Sequence, residues 1–171
     1  MGMDVYGVSA TTKRGEYFRN NIWAWRPLWS YCTELAPKLC GDVNGDTNDG
    51  DGLGAEGADD LAVVLFNELA SGRTEQYEKN YNKRIAGLPQ TDCAYCGATG
   101  IRTDSIGEEL GMPAKQLEEA LAVLLGRTHG TCNGCNGEGK TDSWEASYPF
   151  SEKNVREFAE FLAECGGFKI C

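Results

Sequence analysis

Eight cysteines carry the most readable chemistry in this chain. Four of them form two pairs at one spacing: Cys93-Ala94-Tyr95-Cys96-Gly97-Ala98-Thr99-Gly100 and Cys132-Asn133-Gly134-Cys135-Asn136-Gly137-Glu138-Gly139. In a C-x-x-C turn both sulfurs point at one metal. The glycines behind the second cysteine let the backbone turn back, so that its N–H groups face the thiolates. Two such turns supply a closed tetrahedral S₄ set, which favours Zn²⁺ and leaves no open coordination position. The spacing therefore predicts one structural zinc on Cys93, Cys96, Cys132 and Cys135. The competing reading is two pairs of unligated or redox thiols. A thioredoxin-like use needs a C-x-x-C opening a helix within a βαβ unit, and neither pair is so placed.

The second segment satisfies C-x-x-C-x-G-x-G throughout, while the first has Ala98 where a glycine would stand. The pair resembles the zinc-binding central region of the DnaJ-type co-chaperones. That likeness covers these two eight-residue segments alone. The His-Pro-Asp motif of a J-domain is missing, and the family carries four repeats where this chain has two. The resemblance implies a local zinc-knuckle geometry and not a co-chaperone activity.

Weaker constellations compete for a role. His129 is the single histidine and could replace one thiolate, but four cysteines already complete the set. With that histidine beside a closed site, nucleophilic catalysis has no triad to draw on, and no catalytic residue is assigned. The Gly41–Asp46 segment resembles the start of an EF-hand or dockerin loop, with Asp42, Asn44 and Asp46 at the first, third and fifth positions. Thr47 replaces the required glycine and Leu53 the bidentate glutamate, so a Gly/Asp-rich surface turn explains the residues as well. Residues 104–127 read as a short helix, a turn at Gly111-Met112-Pro113 and a longer helix with Leu117, Leu121, Leu124 and Leu125 on its buried face. This helix-turn-helix-like insertion offers Lys115 and Gln116 but also Glu118 and Glu119, which suits packing better than phosphate contact. Trp25, Trp29 and Cys32 share one helical face and read as core, whereas Trp23 and Arg26 read as exposed. Cys32, Cys40, Cys165 and Cys171 form no knuckle and read as buried thiols.

The elements that must hold these residues follow from pattern. The composition, 41% hydrophobic and 25% charged over 171 residues, is that of a folded domain. Helices are expected from about Pro27 to Leu35, over 58–71, over 73–86 and over 152–165. Ser151 is the expected N-cap of the last, with a Phe150/Val155 staple and Gly166-Gly167 as its stop. Residues 1–21 read as polar and turn-rich, 140–149 as extended, and the alternating tail Phe168-Lys169-Ile170-Cys171 as a short strand. The sum is an α+β, mainly α-helical single domain over 1–171. Its parts are an aromatic, helical stretch (1–89), a zinc-knuckle stretch clamping a helical insertion (90–140), and a C-terminal helix with its tail (141–171).

Net charge is −10, which repels nucleic-acid phosphates and anionic membranes and suits either solubility or a basic protein partner. No apolar run has the length of a signal peptide or a membrane span, so a bacterial cytoplasmic setting is expected, where cysteines serve as metal ligands or buried thiols. Taken whole, the chain resembles an uncharacterised group of bacterial and phage-encoded proteins. The likeness rests on Met3-Asp4-Val5-Tyr6-Gly7, Gly15-Glu16-Tyr17-Phe18-Arg19-Asn20-Asn21, Trp25-Arg26-Pro27-Leu28-Trp29, the knuckles and Asn154-Val155-Arg156-Glu157-Phe158. It implies a phage or mobile-element setting and brings no activity with it. The leading expectation is a zinc-stabilised, non-catalytic phage accessory or anti-defence protein that docks on a host or defence protein. The alternative is a small-molecule or nucleotide-binding protein, or an enzyme, built on the loop 42–52 and the aromatic segment. Trp23, Arg26, Asp49 and Asp51 are its candidate binding surface. A nucleic-acid binder using 104–127 comes third.

Overall fold

The computed structural model describes residues 2–112, 116–126 and 131–171, with Leu125 described by its backbone alone. In chain order the elements are β1 (Gly2–Gly7), α1 (Lys13–Glu16), β2 (Tyr17–Asn21), α2 (Ile22–Leu35), α3 (Pro37–Cys40), α4 (Ala55–Ala70) and α5 (Arg73–Ala86). There follow β3 (Thr91–Asp92), α6 (Ser105–Glu109), α7 (Glu119–Leu125), β4 (Lys140–Thr141), a 3₁₀ turn (Trp144–Ser147), α8 (Glu152–Cys165) and β5 (Phe168–Ile170). The fold is α+β and mainly helical, as expected. The chain divides into two compact units, one running up to Gly87 and resuming at Ser147–Cys171, the other Leu88–Ala146. The sequence reading treated the whole as one domain with a part boundary near 90 and another near 140.

The first unit is a three-stranded antiparallel sheet, ordered β2-β1-β5, covered by helices. Within the segment expected as polar and turn-rich, Gly2–Gly7 and Tyr17–Asn21 instead form two of its strands. Met3 and Val5 alternate inward with Asp4 and Tyr6 outward, a period-2 pattern too short to stand out in sequence. Register pairs Val5 with both Phe18 and Ile170, which places apolar residues of three strands side by side under the helices.

Asn21 caps α2, its side chain accepting from the Ala24 N–H at 2.9 Å, so that helix starts at Ile22 and runs through Pro27. The indoles of Trp25 and Trp29 stack at 5.6 Å and are buried, as their helical spacing predicts. Helix α4 begins at Ala55, ahead of the expected start, and buries Leu61, Leu65 and Leu69. α5 and α8 have the expected bounds. Ser151 Oγ accepts from the Asn154 N–H at 3.4 Å, and Gly166 closes α8 in the left-handed region. α8 packs chiefly on α4 and sends Phe158 and Leu162 into the core.

The insertion differs most from expectation. α6 spans five residues and α7 seven, and residues 116–118 lie outside the second helix. Leu117 is half-buried, while Leu121 and Leu124, expected on a buried face, are 42% and 79% exposed. The leucine spacing is helical, yet the seven-residue helix leaves Leu121 and Leu124 in solvent. Lys115, Pro113 and the Leu125 side chain lie outside the described residues, as does His129.

Candidate metal centre

The knuckles fold by similar local bonds that differ by one residue in span at the first cysteine. The Gly97 N–H donates to Cys93 C=O at 2.8 Å and the Thr99 N–H to Cys96 C=O at 3.1 Å. In the second, the Gly137 N–H donates to Cys132 C=O at 3.1 Å and the Glu138 N–H to Cys135 C=O at 2.9 Å. The knuckles then exchange a reciprocal pair: the Cys93 N–H donates to Gly139 C=O and the Cys132 N–H to Gly100 C=O, both at 2.8 Å. Below them β3 and β4 pair antiparallel, Asp92 against Lys140, with an ion pair at 3.3 Å.

This arrangement brings the four sulfurs together. All four cysteines are buried, and their sulfurs lie within 4.8 Å of one another. Cys93 and Cys132 sulfurs are 3.8 Å apart, and those of Cys96 and Cys135 3.7 Å. A tetrahedron with zinc–sulfur bonds of about 2.3 Å has edges of about 3.8 Å. The separations fit a metal and are far too long for disulfides. The cluster could therefore hold a metal ion with every position filled by protein sulfur.

Backbone N–H groups aim at two of the sulfurs, and the electrostatics divide the other two. The Gly100 N–H donates to Cys96 Sγ at 3.3 Å and the Gly139 N–H to Cys135 Sγ at 3.2 Å. Burial works against charge at Cys93, but the N–H groups of Tyr95 and Cys96 and the neighbouring thiols outweigh it and bring the Cys93 thiol down to about 7. At Cys132 burial prevails, with Cys93 and Cys135 adding to it, and the thiol is pushed up to about 11. Of these two neighbours, Cys93 loses its proton before Cys132.

The backbone behind the sulfurs runs through the left-handed region at matching positions: Gly97 (φ 55°) with Asn136 (51°), Ala98 (66°) with Gly137 (81°), and Gly100 (73°) with Gly139 (77°). Ala98, the departure noted in the motif, thus holds a conformation that suits glycine.

One residue that the sequence reading passed over ties the knuckles together. Arg102 is 6% exposed. Its guanidinium makes a two-pronged contact with Asp104, Nε to Oδ1 at 2.7 Å and Nη2 to Oδ2 at 2.9 Å, and Nη1 donates to Asn133 Oδ1 at 2.9 Å. It also lies 4.7 Å from the ring centroid of Tyr95. Asn133 and Tyr95 belong to different knuckles, so Arg102 bridges them. Asp104 in turn caps α6 by accepting from the Gly107 N–H at 2.9 Å. The bond to Arg102 holds the Asp104 carboxyl below the usual range. The available signal was an arginine two residues before an N-cap aspartate, just past a knuckle.

The other candidates do not gather at one site. Trp23 packs on Tyr148 with ring centroids 4.8 Å apart and planes tilted by 51°, and Arg26, expected exposed, is half-buried with Nη1 donating to the Tyr148 hydroxyl at 3.1 Å. Asp49 is exposed. Asp51 accepts from the Asn44 N–H at 2.7 Å and the Gly52 N–H at 2.9 Å, so its oxygens hold the loop's own backbone. A cavity of about 370 Å³ against the loop is lined by Trp29, Thr33, Cys40, Val43, Asn44 and Asp46, with Trp23, Asp49 and Asp51 absent from its walls.

The acidic loop has a structural task. The N–H groups of Phe168 and Ile170 donate to Leu53 and Asp51 carbonyls, both at 2.8 Å, and Gly50 N–H donates to Ile170 C=O at 2.7 Å. Residues 50–53 thus cover the β5 edge of the sheet. A Cβ on Gly52 would lie 1.9 Å from Phe168 O, so only glycine allows this approach. Upstream, Trp25 Nε1 donates to Gly45 C=O at 2.6 Å.

Cys32, Cys40 and Cys165 are buried, and Cys171 is exposed. Burial raises the thiols of all three buried residues, that of Cys40 to about 11, which keeps them protonated and inert. Among the described residues no helix is long and apolar enough to cross a membrane. Comparison with protein-family models, curated proteins and solved structures finds no match to this chain.

Proposed function

We propose that this chain is a zinc-stabilised, acidic, non-catalytic protein-interaction module, a phage accessory or anti-defence protein that docks on a host protein in the bacterial cytoplasm. The observation that carries the reading is the buried Cys93/Cys96/Cys132/Cys135 cluster. Four buried sulfurs within 4.8 Å of one another, two pairs of them at 3.7 and 3.8 Å, suit zinc and leave no position for water or substrate, so the ion is structural and its chemistry closed. Zinc on four thiolates adds about −2 to a surface already at −10, which favours a basic protein partner over nucleic acid or an anionic membrane. The phage setting rests on the sequence resemblance alone.

Affinity capture from host lysate with the zinc-loaded protein, read by mass spectrometry, tests the module. A stoichiometric protein partner is expected, and recovery of none counts against the reading. The cavity of about 370 Å³ between Trp29 and the Asp/Gly loop favours a second reading, small-molecule or nucleotide binding. Native mass spectrometry separates the two, since a co-purified ligand supports the second. The nucleic-acid reading has less behind it: α7 is a seven-residue helix preceded by Glu118 and opening on Glu119.

A further inference from the structure

Among the described residues of the 88–146 unit, the buried apolar cluster consists of the four cysteines alone. The apolar side chains that a helical hairpin would bury are outside. Val123 and Leu124 are each 79% exposed, and Leu121, one turn back from Leu124, is 42% exposed. On α6, Ile106 and Leu110 are 49% and 56% exposed. A helix of sequence Glu-Ala-Leu-Ala-Val-Leu-Leu left in water forgoes the burial that ordinarily stabilises such a helix. Leu121 and Leu124, three positions apart, share one face of α7, and an exposed apolar face marks an interaction site more often than a bare surface.

Charge decides what covers it. Glu118 and Glu119 stand exposed at the start of α7, and Glu108 and Glu109 are exposed on α6. Over residues 103–127 the sequence carries five acidic side chains against two basic. A second copy would bring the same carboxylates against these, on molecules already at −10 each. Anionic lipid and nucleic acid are repelled in the same way. A helix with an apolar stripe flanked by Lys and Arg satisfies both features at once, its stripe on the aliphatic face and its cations on the rim.

We propose that the face of α7 carrying Leu121 and Leu124, with Glu118 and Glu119 at the start of the helix, docks a basic amphipathic helix of a partner protein. This rests on the interaction-module reading and gives that module its surface and its class of partner.

Fluorescence anisotropy with the zinc-loaded full chain tests it, using a synthetic Leu/Lys amphipathic helical peptide as probe. A Leu/Glu peptide of the same apolar pattern and a polylysine of equal length serve as controls. The Leu/Lys peptide is expected to bind, and both controls to bind at least tenfold more weakly. Leu121→Ser/Leu124→Ser and, separately, Glu118→Lys/Glu119→Lys should each weaken binding by roughly tenfold or more while zinc content stays unchanged. Equal binding to wild type and both variants overturns the proposal, as does polylysine binding as tightly as the Leu/Lys peptide. Sedimentation showing a dimer that Leu121→Ser/Leu124→Ser abolishes overturns it in favour of a second copy. Lysate capture with wild type and the apolar variant separates this surface from the module itself. A partner lost with the variant supports the surface. A partner kept by both overturns the surface and leaves the module standing; no partner for either overturns both.

Discussion

Ala98 holds φ 66° where its counterpart Gly137 holds 81°. An L-residue in the left-handed region costs about 1–2 kcal/mol, part of which glycine returns through its greater freedom when unfolded. Ala98→Gly should therefore stabilise the knuckle unit by about 0.5–1 kcal/mol, read as a higher chelator concentration at half-release or a raised melting temperature. Arg102 gives the opposite case. Replacing it by methionine keeps some of its bulk but removes the bonds to Asn133 and Asp104 and a cation near the Cys132 thiolate. Groups that support a metal's ligands commonly tune affinity by 10–100-fold, so Arg102→Met should loosen zinc by roughly tenfold in competition with a chromophoric chelator. Unchanged affinity would show that the two knuckles hold their geometry without the bridge.

At the scale of elements, the sheet and the entry to α8 depend on a few polar side chains and close approaches. Asn82 reaches across to the segment leading into α8, donating to Phe150 C=O at 2.9 Å and accepting from the Phe150 N–H at 3.0 Å. Asn82→Ala leaves both backbone groups without that partner and should cost about 1–3 kcal/mol in a urea unfolding curve. Gly52→Ala should destabilise by a similar amount, about 1–3 kcal/mol, because the loop must move off the β5 edge; faster amide exchange at Phe168 and Ile170 is the specific sign.

These elements also show which features a sequence reader sees. α8 was legible because its cap, staple and stop are local: Ser151, the Phe150/Val155 pair and Gly166 all lie within a turn of its ends. The knuckles were legible for the same reason, each being a complete turn within eight residues. β1 and β2 were not, since five- and six-residue strands containing Gly2, Asn20 and Asn21 acquire meaning only through pairing with each other and with β5. Arg102 was hidden likewise, its partner Asn133 lying far along the chain. The loop 41–53 carried a misleading signal: Asp and Asn at alternating positions resemble a cation loop, yet Asp51 and Asn44 spend their oxygens on backbone N–H groups.

For the whole molecule, the two units draw their stability from different sources. One has an apolar core spread over a sheet and several helices; the other has four cysteines as its buried cluster, with Arg102 beside them. Removing the metal should therefore open residues 88–146 first, while β1, β5 and α8 keep their amide protection in a hydrogen-exchange time course with and without chelator. The four-thiolate cluster proposed to hold zinc is tested most directly by metal stoichiometry on the purified chain. Native mass spectrometry paired with thiol titration should find one zinc per chain, with Cys93, Cys96, Cys132 and Cys135 unreactive until the protein is denatured with chelator. A chain free of metal whose four thiols react at once, or pair as disulfides in the native state, would contradict it.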